Sequence, residues 1–86
     1  MIDVEKIQKM KVVKQSPNSN IIYLDGLQIL QSYGTTIAII DQDDNVTLTK
    51  DWAASPTTSK HRNLFLNEDI SETRNKIING QYKLIN

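Results

Sequence analysis

Residues 32–65 read SYGTTIAIIDQDDNVTLTKDWAASPTTSKHRNLF, and within them the chain changes from sheet-like to helix-like patterning. Thr36 to Ile40 is β-branched or small at every position, which suits a pleated, half-buried surface and predicts a central strand. Asn45 to Thr49 alternates strictly, with Val46 and Leu48 on one face and Thr47 and Thr49 on the other, as in a strand with one wet side. Asp41-Gln42-Asp43-Asp44 between them is turn chemistry, because Asp carboxylates accept from nearby backbone N–H groups. Together these predict a hairpin. After Trp52, Ala53 to Ser59 form a hydroxyl-rich loop, and Thr57 or Thr58 is the expected N-cap of a helix running through His61 to about Leu66.

Upstream, Asp3 to Lys14 fits two patterns: Val4, Ile7 and Met10 have helical spacing, whereas Met10 to Lys14 also alternates. A short helical or irregular lead-in followed by a strand from about Lys9 to Gln15 reconciles them. Ser16 to Asn20 is a dense turn cluster around Pro17. Ile21 to Leu24 and Leu27 to Ser32 flank Asp25-Gly26, the dipeptide suited to a two-residue turn with positive φ at both positions. Gly34 is the expected site of a bend or bulge.

Downstream, Asp69-Ile70-Ser71-Glu72 has capping-box spacing ahead of Ile70, Arg74, Ile77 and Ile78, and Gly80 is a natural stop. Gln81 to Ile85 alternates as a last strand. The chain is therefore expected to be a single α+β domain over residues 1–86. It should form a small antiparallel β-meander of four to six strands with two C-terminal helices packed on one face. That face should carry Ile, Leu and Val, and the other Thr, Gln, Lys and Tyr. Ile39 is placed on the buried side, so that Ile39→Asp would unfold the domain.

A chain of 86 residues leaves little room for a deep enzyme cleft. The absence of Cys removes disulfides, zinc ribbons and thiol chemistry, and fits a reducing compartment such as the cytoplasm. No apolar run approaches the roughly 20 residues of a membrane helix, and the opening Met-Ile-Asp-Val-Glu has acid where a signal peptide is basic. Ten basic and ten acidic groups cancel, so no global field draws in a polyanion.

Ser32-Tyr33-Gly34-Thr35 with Ile37-Ala38, then Pro56-Thr57-Thr58-Ser59-Lys60-His61-Arg62 and Phe65-Leu66, resemble a family of small uncharacterised, largely phage-encoded proteins. Its members pair an S-Y-x-T-x-(V/I)-A strand with a T-T-S-K-H helix start. The resemblance covers roughly Leu30 to Leu66 and carries no assigned activity or functional residues. It implies a phage or prophage source, where short proteins often act by binding a host protein.

The sharpest chemical candidate is Thr57 to Arg62, where a helix N-terminus, hydroxyls and three basic side chains can form an anion site. The plainer reading is a capped helix with solvated cations. One His with no Ser or Asp partner at a recognisable spacing is no triad, so nucleophilic catalysis is not expected. Asp41, Asp43 and Asn45 have the first spacings of a calcium loop. Val46 stands where its Gly belongs and Trp52 where its Glu belongs, so a turn is expected and no metal or cofactor. Tyr23, Tyr33, Trp52 and Tyr82 can serve in the core or as binding rings.

These features point to a non-enzymatic phage-type protein that binds and inhibits or redirects a host protein, for example a defence nuclease complex. The expected contact set is Trp52, Thr57, Thr58, Lys60, His61 and Arg62, with Tyr23 and Tyr33. The alternative is a nucleic-acid-binding accessory protein using Lys9, Lys11, Lys14, Lys60 and Arg62. A second copy of the chain, pairing at an open strand edge, is a further partner class, and a membrane is not one.

Overall fold

A computed structural model describes residues 10–85 and, within them, six strands and two helices. The strands β1 (Lys11–Ser16), β2 (Ser19–Leu24), β3 (Leu27–Ser32), β4 (Thr35–Ile40) and β5 (Val46–Leu48) come first. Helices α1 (Pro56–Leu66) and α2 (Ile70–Ile78) follow, and β6 (Tyr82–Leu84) ends the fold. The expected lead-in, with Val4, Ile7 and Lys9, lies outside the described residues.

Local chemistry accounts for the connections. Asp25 and Gly26 have φ of 50° and 78°, and Tyr33 and Gly34 have 51° and 80°. Both pairs turn the chain in two left-handed residues, which matches the twist of the strands they join. Gly34 is thus a hairpin turn and not a bulge. In the β4–β5 loop, Asp41 Oδ1 accepts from the backbone N–H of Asp43 and Asn45, each at 2.9 Å. These bonds favour the ionised carboxylate, and Asp41 titrates below its ordinary range, the backbone bond from Asn45 being the largest cause.

Helix α1 is capped by Ser55, whose Oγ accepts from Thr58 N–H at 3.1 Å, and Pro56 holds the first helical position. Thr57 and Thr58 are therefore inside the helix and neither is its cap. Ser55-Pro56 is the stronger start signal because proline's fixed φ suits the first turn and its missing N–H would be unpaired there anyway. In α2 the expected capping box is present: Glu72 N–H donates to Asp69 Oδ1 at 2.8 Å, and Asp69 N–H donates to Glu72 Oε1 at 3.4 Å.

The strands lie in chain order, β1-β2-β3-β4-β5-β6, antiparallel up to β5. β6 departs from the meander by pairing parallel to β5. The two helices form the long connection that parallel neighbours require. On the helix side, Leu30, Ile37, Ala38, Val46 and Leu48 are buried and meet Trp52, Phe65, Leu66, Ile77 and Tyr82.

Strict alternation would put Ile37 and Ala38 on opposite faces, yet both are at most 1% exposed. The register explains it: Leu30 pairs with Ala38 but Gln31 pairs with Thr36, so Ile37 is an extra residue in a bulge. The bulge shifts the phase of β4 and turns Ile39 outward, half-buried, contrary to its expected place in the core.

The second face is also less polar than expected. Register puts Val12, Ile22, Ile29, Ile39, Thr47 and Lys83 side by side in one row across all six strands. Leu24 and Leu27 pair beside it, while Lys14, Asn20, Gln31 and Thr36 form a polar row on its other flank. Tyr23, expected among the polar face, falls on the helix side, in register with Gln28, and Tyr82 shares that side in register with Val46. None of these outer aliphatics belongs to the core cluster, and both described helices pack on the opposite side.

Candidate functional site

The polar side chains with chemical potential meet where the end of β3 touches α1. Thr58, His61 and Arg62 are three and four residues apart, so they share one helical face. That face turns to the sheet, and the three residues are 5%, 5% and 0% exposed. Ser32, at the end of β3 and 2% exposed, is hydrogen-bonded through Oγ to His61 Nδ1 at 2.7 Å and to Thr58 Oγ1 at 3.1 Å. Ser55 Oγ donates to Thr58 Oγ1 at 3.1 Å, which extends the chain of hydroxyls to the helix cap. From β1, Gln15 Nε2 donates to Ser19 Oγ at 3.0 Å and to the His61 carbonyl at 3.2 Å.

The Ser32–His61 pair was invisible to spacing because 29 residues separate its members. A hydroxyl within hydrogen-bond reach of an imidazole is the first half of a nucleophile–base arrangement. The other half would be a group orienting the imidazole, and among the described residues the ring's only hydrogen bond is the one to Ser32. Tyr33 covers the ring instead, with centroids 5.9 Å apart and planes tilted by 44°. An open pocket of about 160 Å³ adjoins the cluster, between Tyr33, Thr35, Asp51 and Ala54.

Arg62 is held differently. Nη1 donates to the Trp52 carbonyl at 2.6 Å, Nη2 donates to Asn63 Oδ1 at 2.9 Å, and the guanidinium lies 5.2 Å from the centre of the Trp52 ring. No carboxylate among the described residues lies within ion-pair distance, and buried Nε lacks a hydrogen-bond partner there. Burial lowers the Arg62 pKa, against a smaller opposing pull from Glu68.

Of the other expected contacts, Thr57 and Lys60 stand exposed on the outer face of α1, Tyr33 is 59% exposed, and Trp52 is half-buried against the core. Tyr23 is at the opposite end of the sheet, beside the Asp25-Gly26 turn and an open pocket of about 300 Å³. The fold thus gathers Tyr33, Thr58 and His61 and separates Tyr23 from them. The N-terminus of α1 is poorly equipped for an anion: Pro56 has no N–H, and those of Thr58 and Ser59 are bonded to Ser55. The basic set is scattered, with Lys14 on the outer sheet face, Lys60 on α1 and Arg62 buried.

A second polar cluster joins the helices to β6. Glu68, its side chain 3% exposed, accepts from Lys76 Nζ at 2.9 Å, from Thr73 Oγ1 at 2.8 Å and from the Tyr82 hydroxyl. Burial alone would raise the Glu68 pKa, but the bonds from Tyr82, Lys76 and Thr73 outweigh it and hold the carboxyl below its ordinary value. Burial and the neighbouring Glu68 raise Tyr82 in turn.

A family pattern matches this chain over residues 4–80, well beyond the stretch from Leu30 to Leu66 that carried the resemblance. The chain belongs to DUF8033, a family of unknown function. No curated protein and no solved structure matches it. For this DUF8033 chain, function must therefore be argued from the sites themselves.

Proposed function

We propose that this DUF8033 protein is a non-enzymatic binding module whose partner is another protein. The observation that carries the reading is the outer sheet face, where Val12, Ile22, Ile29 and Ile39 run side by side with no described element packed over them. Contiguous apolar surface framed by polar residues is characteristic of protein contact sites. Tyr33, Thr57 and Lys60 offer a second exposed contact region at the start of α1, whereas Thr58, His61 and Arg62 support it from within. The resemblance to phage-encoded proteins supports a host protein as the partner, which binding would inhibit or redirect; a defence nuclease complex fits that role.

The nucleic-acid alternative has less support, because among the described residues the exposed lysines do not form one basic track. The two readings separate in a pull-down from host lysate repeated with nuclease treatment and with Val12→Asp. Near-stoichiometric recovery of one protein that survives nuclease and is lost with Val12→Asp supports the proposal. Capture abolished by nuclease would replace it with the alternative.

A further inference from the structure

Taking the protein-binding reading as its premise, we infer that the pocket between Tyr33 and Asp51 receives the ammonium group of a lysine side chain of the partner. The donors beneath the pocket fix the order of its protons. Ser55 Oγ accepts from Thr58 N–H, so its own proton goes to Thr58 Oγ1. Among the described residues Thr58 Oγ1 has one other partner, Ser32 Oγ, and gives its proton there, and Ser32 in turn donates to His61 Nδ1. The reverse order would leave the buried Thr58 proton without an acceptor. Ser32 and Thr58 both line the pocket, and their hydroxyls keep lone pairs for a ligand but no proton.

Backbone donors around the pocket are spent as well. The N–H groups of Tyr33, Ala54 and Thr58 donate to the Asn18 carbonyl, the Asp51 carbonyl and Ser55 Oγ, and that of Asp51 donates to Thr49 Oγ1. An anion finds few donors here, whereas an ammonium group, which only donates, finds acceptors. About 160 Å³ is the room of about five waters at roughly 30 Å³ each. A lysine side chain from Cβ to Nζ fills that room, and an arginine exceeds it.

Charge points the same way. Asp51 is the one charged residue lining the pocket, and among the described residues its carboxylate has neither a hydrogen bond nor an ion pair. The nearby cations do not occupy it: Lys50 is exposed, Lys60 stands on the outer face of α1, and Arg62 is held by the Trp52 carbonyl and Asn63. His61 accepts at Nδ1 and so adds no charge. Asp25, Asp41, Asp43 and Asp44 are at the opposite end of the sheet. The positive end of α1 is blunted, since Pro56 has no N–H and those of Thr58 and Ser59 are bonded to Ser55. Tyr33 adds an aromatic wall, whose face attracts a cation.

The test titrates the isotope-labelled full chain, followed by NMR, with Nα-acetyl-lysine methylamide, with its Nζ-acetylated form, and with glycine methylamide, which presents a chain-terminal amine. The lysine compound should shift the amides of Tyr33, Thr35, Asp51 and Ala54, saturate in the millimolar range and weaken as salt is added. Acetylating Nζ should weaken binding at least about tenfold, and so should Asp51→Asn. Because the Asp51 carboxylate has no described partner, Asp51→Asn should leave the melting temperature unchanged. Ring nitrogen shifts should place the His61 proton on Nε2.

Equal binding of the Nζ-acetylated form, inorganic phosphate shifting the same amides, a His61 proton on Nδ1, or no saturable shift would overturn the inference. Glycine methylamide binding as tightly as the lysine compound would overturn the lysine assignment in favour of a chain terminus. If Asp51→Asn does not fold, the acetylated and free lysine compounds on wild type still decide the matter. No saturable shift alongside nuclease-resistant capture of one host protein overturns the pocket assignment and leaves the protein-binding reading standing. Binding of the lysine compound with no protein captured upholds the ammonium site and overturns the premise.

Discussion

Ser32 and His61 show how much depends on one buried contact. Removing the Ser32 hydroxyl leaves buried His61 Nδ1 without its hydrogen bond and takes one of two from Thr58 Oγ1, which keeps that from Ser55. Ser32→Ala should therefore cost about 1–3 kcal/mol, the usual penalty for orphaned buried polar groups. Thr57→Ala, one position from Thr58 but exposed, should stay within about 0.5 kcal/mol. Urea unfolding of both variants checks the contrast, and equal losses would show that the hydroxyl chain contributes nothing beyond local helix propensity. Glu68 makes a pH-dependent contribution of known sign. Its folded pKa lies below the ordinary 4.5, so its stabilising effect is complete well above that value and is lost as the pH falls through the folded pKa. Glu68→Gln should flatten the acid limb of stability below about pH 4.5 and leave its shape above pH 6 unchanged, as melts across that range would record.

Among the elements, β4 carries the sharpest consequence of the fold. Ile37 is 1% exposed and Ile39 half-buried on the outer face, because the extra residue in the bulge turns Ile37 and Ala38 inward together. Ile37→Asp should unfold the protein, since an unpaired buried carboxylate costs several kcal/mol. Ile39→Asp should leave a folded protein with a modestly lowered melting temperature. A reversed order would mean that β4 runs in strict alternation. That alternation is what TIAII suggests when read alone, and a bulge set by pairing with β3 has no local signature in those residues. The turns were more legible. Asp25-Gly26 and the Asp69–Glu72 box each act within four residues, and the structure has them where the chemistry of those side chains requires. The start of α1 was legible as well, in Ser55-Pro56, but the neighbouring threonines obscured it. Ser55→Ala should cost about 1 kcal/mol in chemical denaturation, the usual loss for an N-cap.

At the scale of the whole molecule, the candidate contacts were only partly legible because they depend on how strands and helix come together. Residue type selected Thr58, His61 and Arg62, but whether a helix presents that face to solvent or to the sheet is decided by packing. The outer aliphatic row was hidden for the same reason, since it needs the registers of β1 to β4 at once. That row has a consequence for the protein in isolation. Net charge is zero at neutral pH and the sequence pI is about 6.5, so electrostatic repulsion between molecules is weakest close to neutrality. Apolar surface then dominates contacts between copies, and solubility should pass through a minimum near pH 6.5. The double variant Val12→Thr/Ile29→Thr keeps both charge and β-branching while interrupting the row. It should require more polyethylene glycol to precipitate at pH 6.5 than wild type does, with the two curves converging at pH 9, where net charge keeps molecules apart. If the variant precipitates with wild type at both pH values, the outer face is not what brings copies together. The same comparison for Leu64→Thr, on the exposed side of α1, would then show whether that helix is responsible.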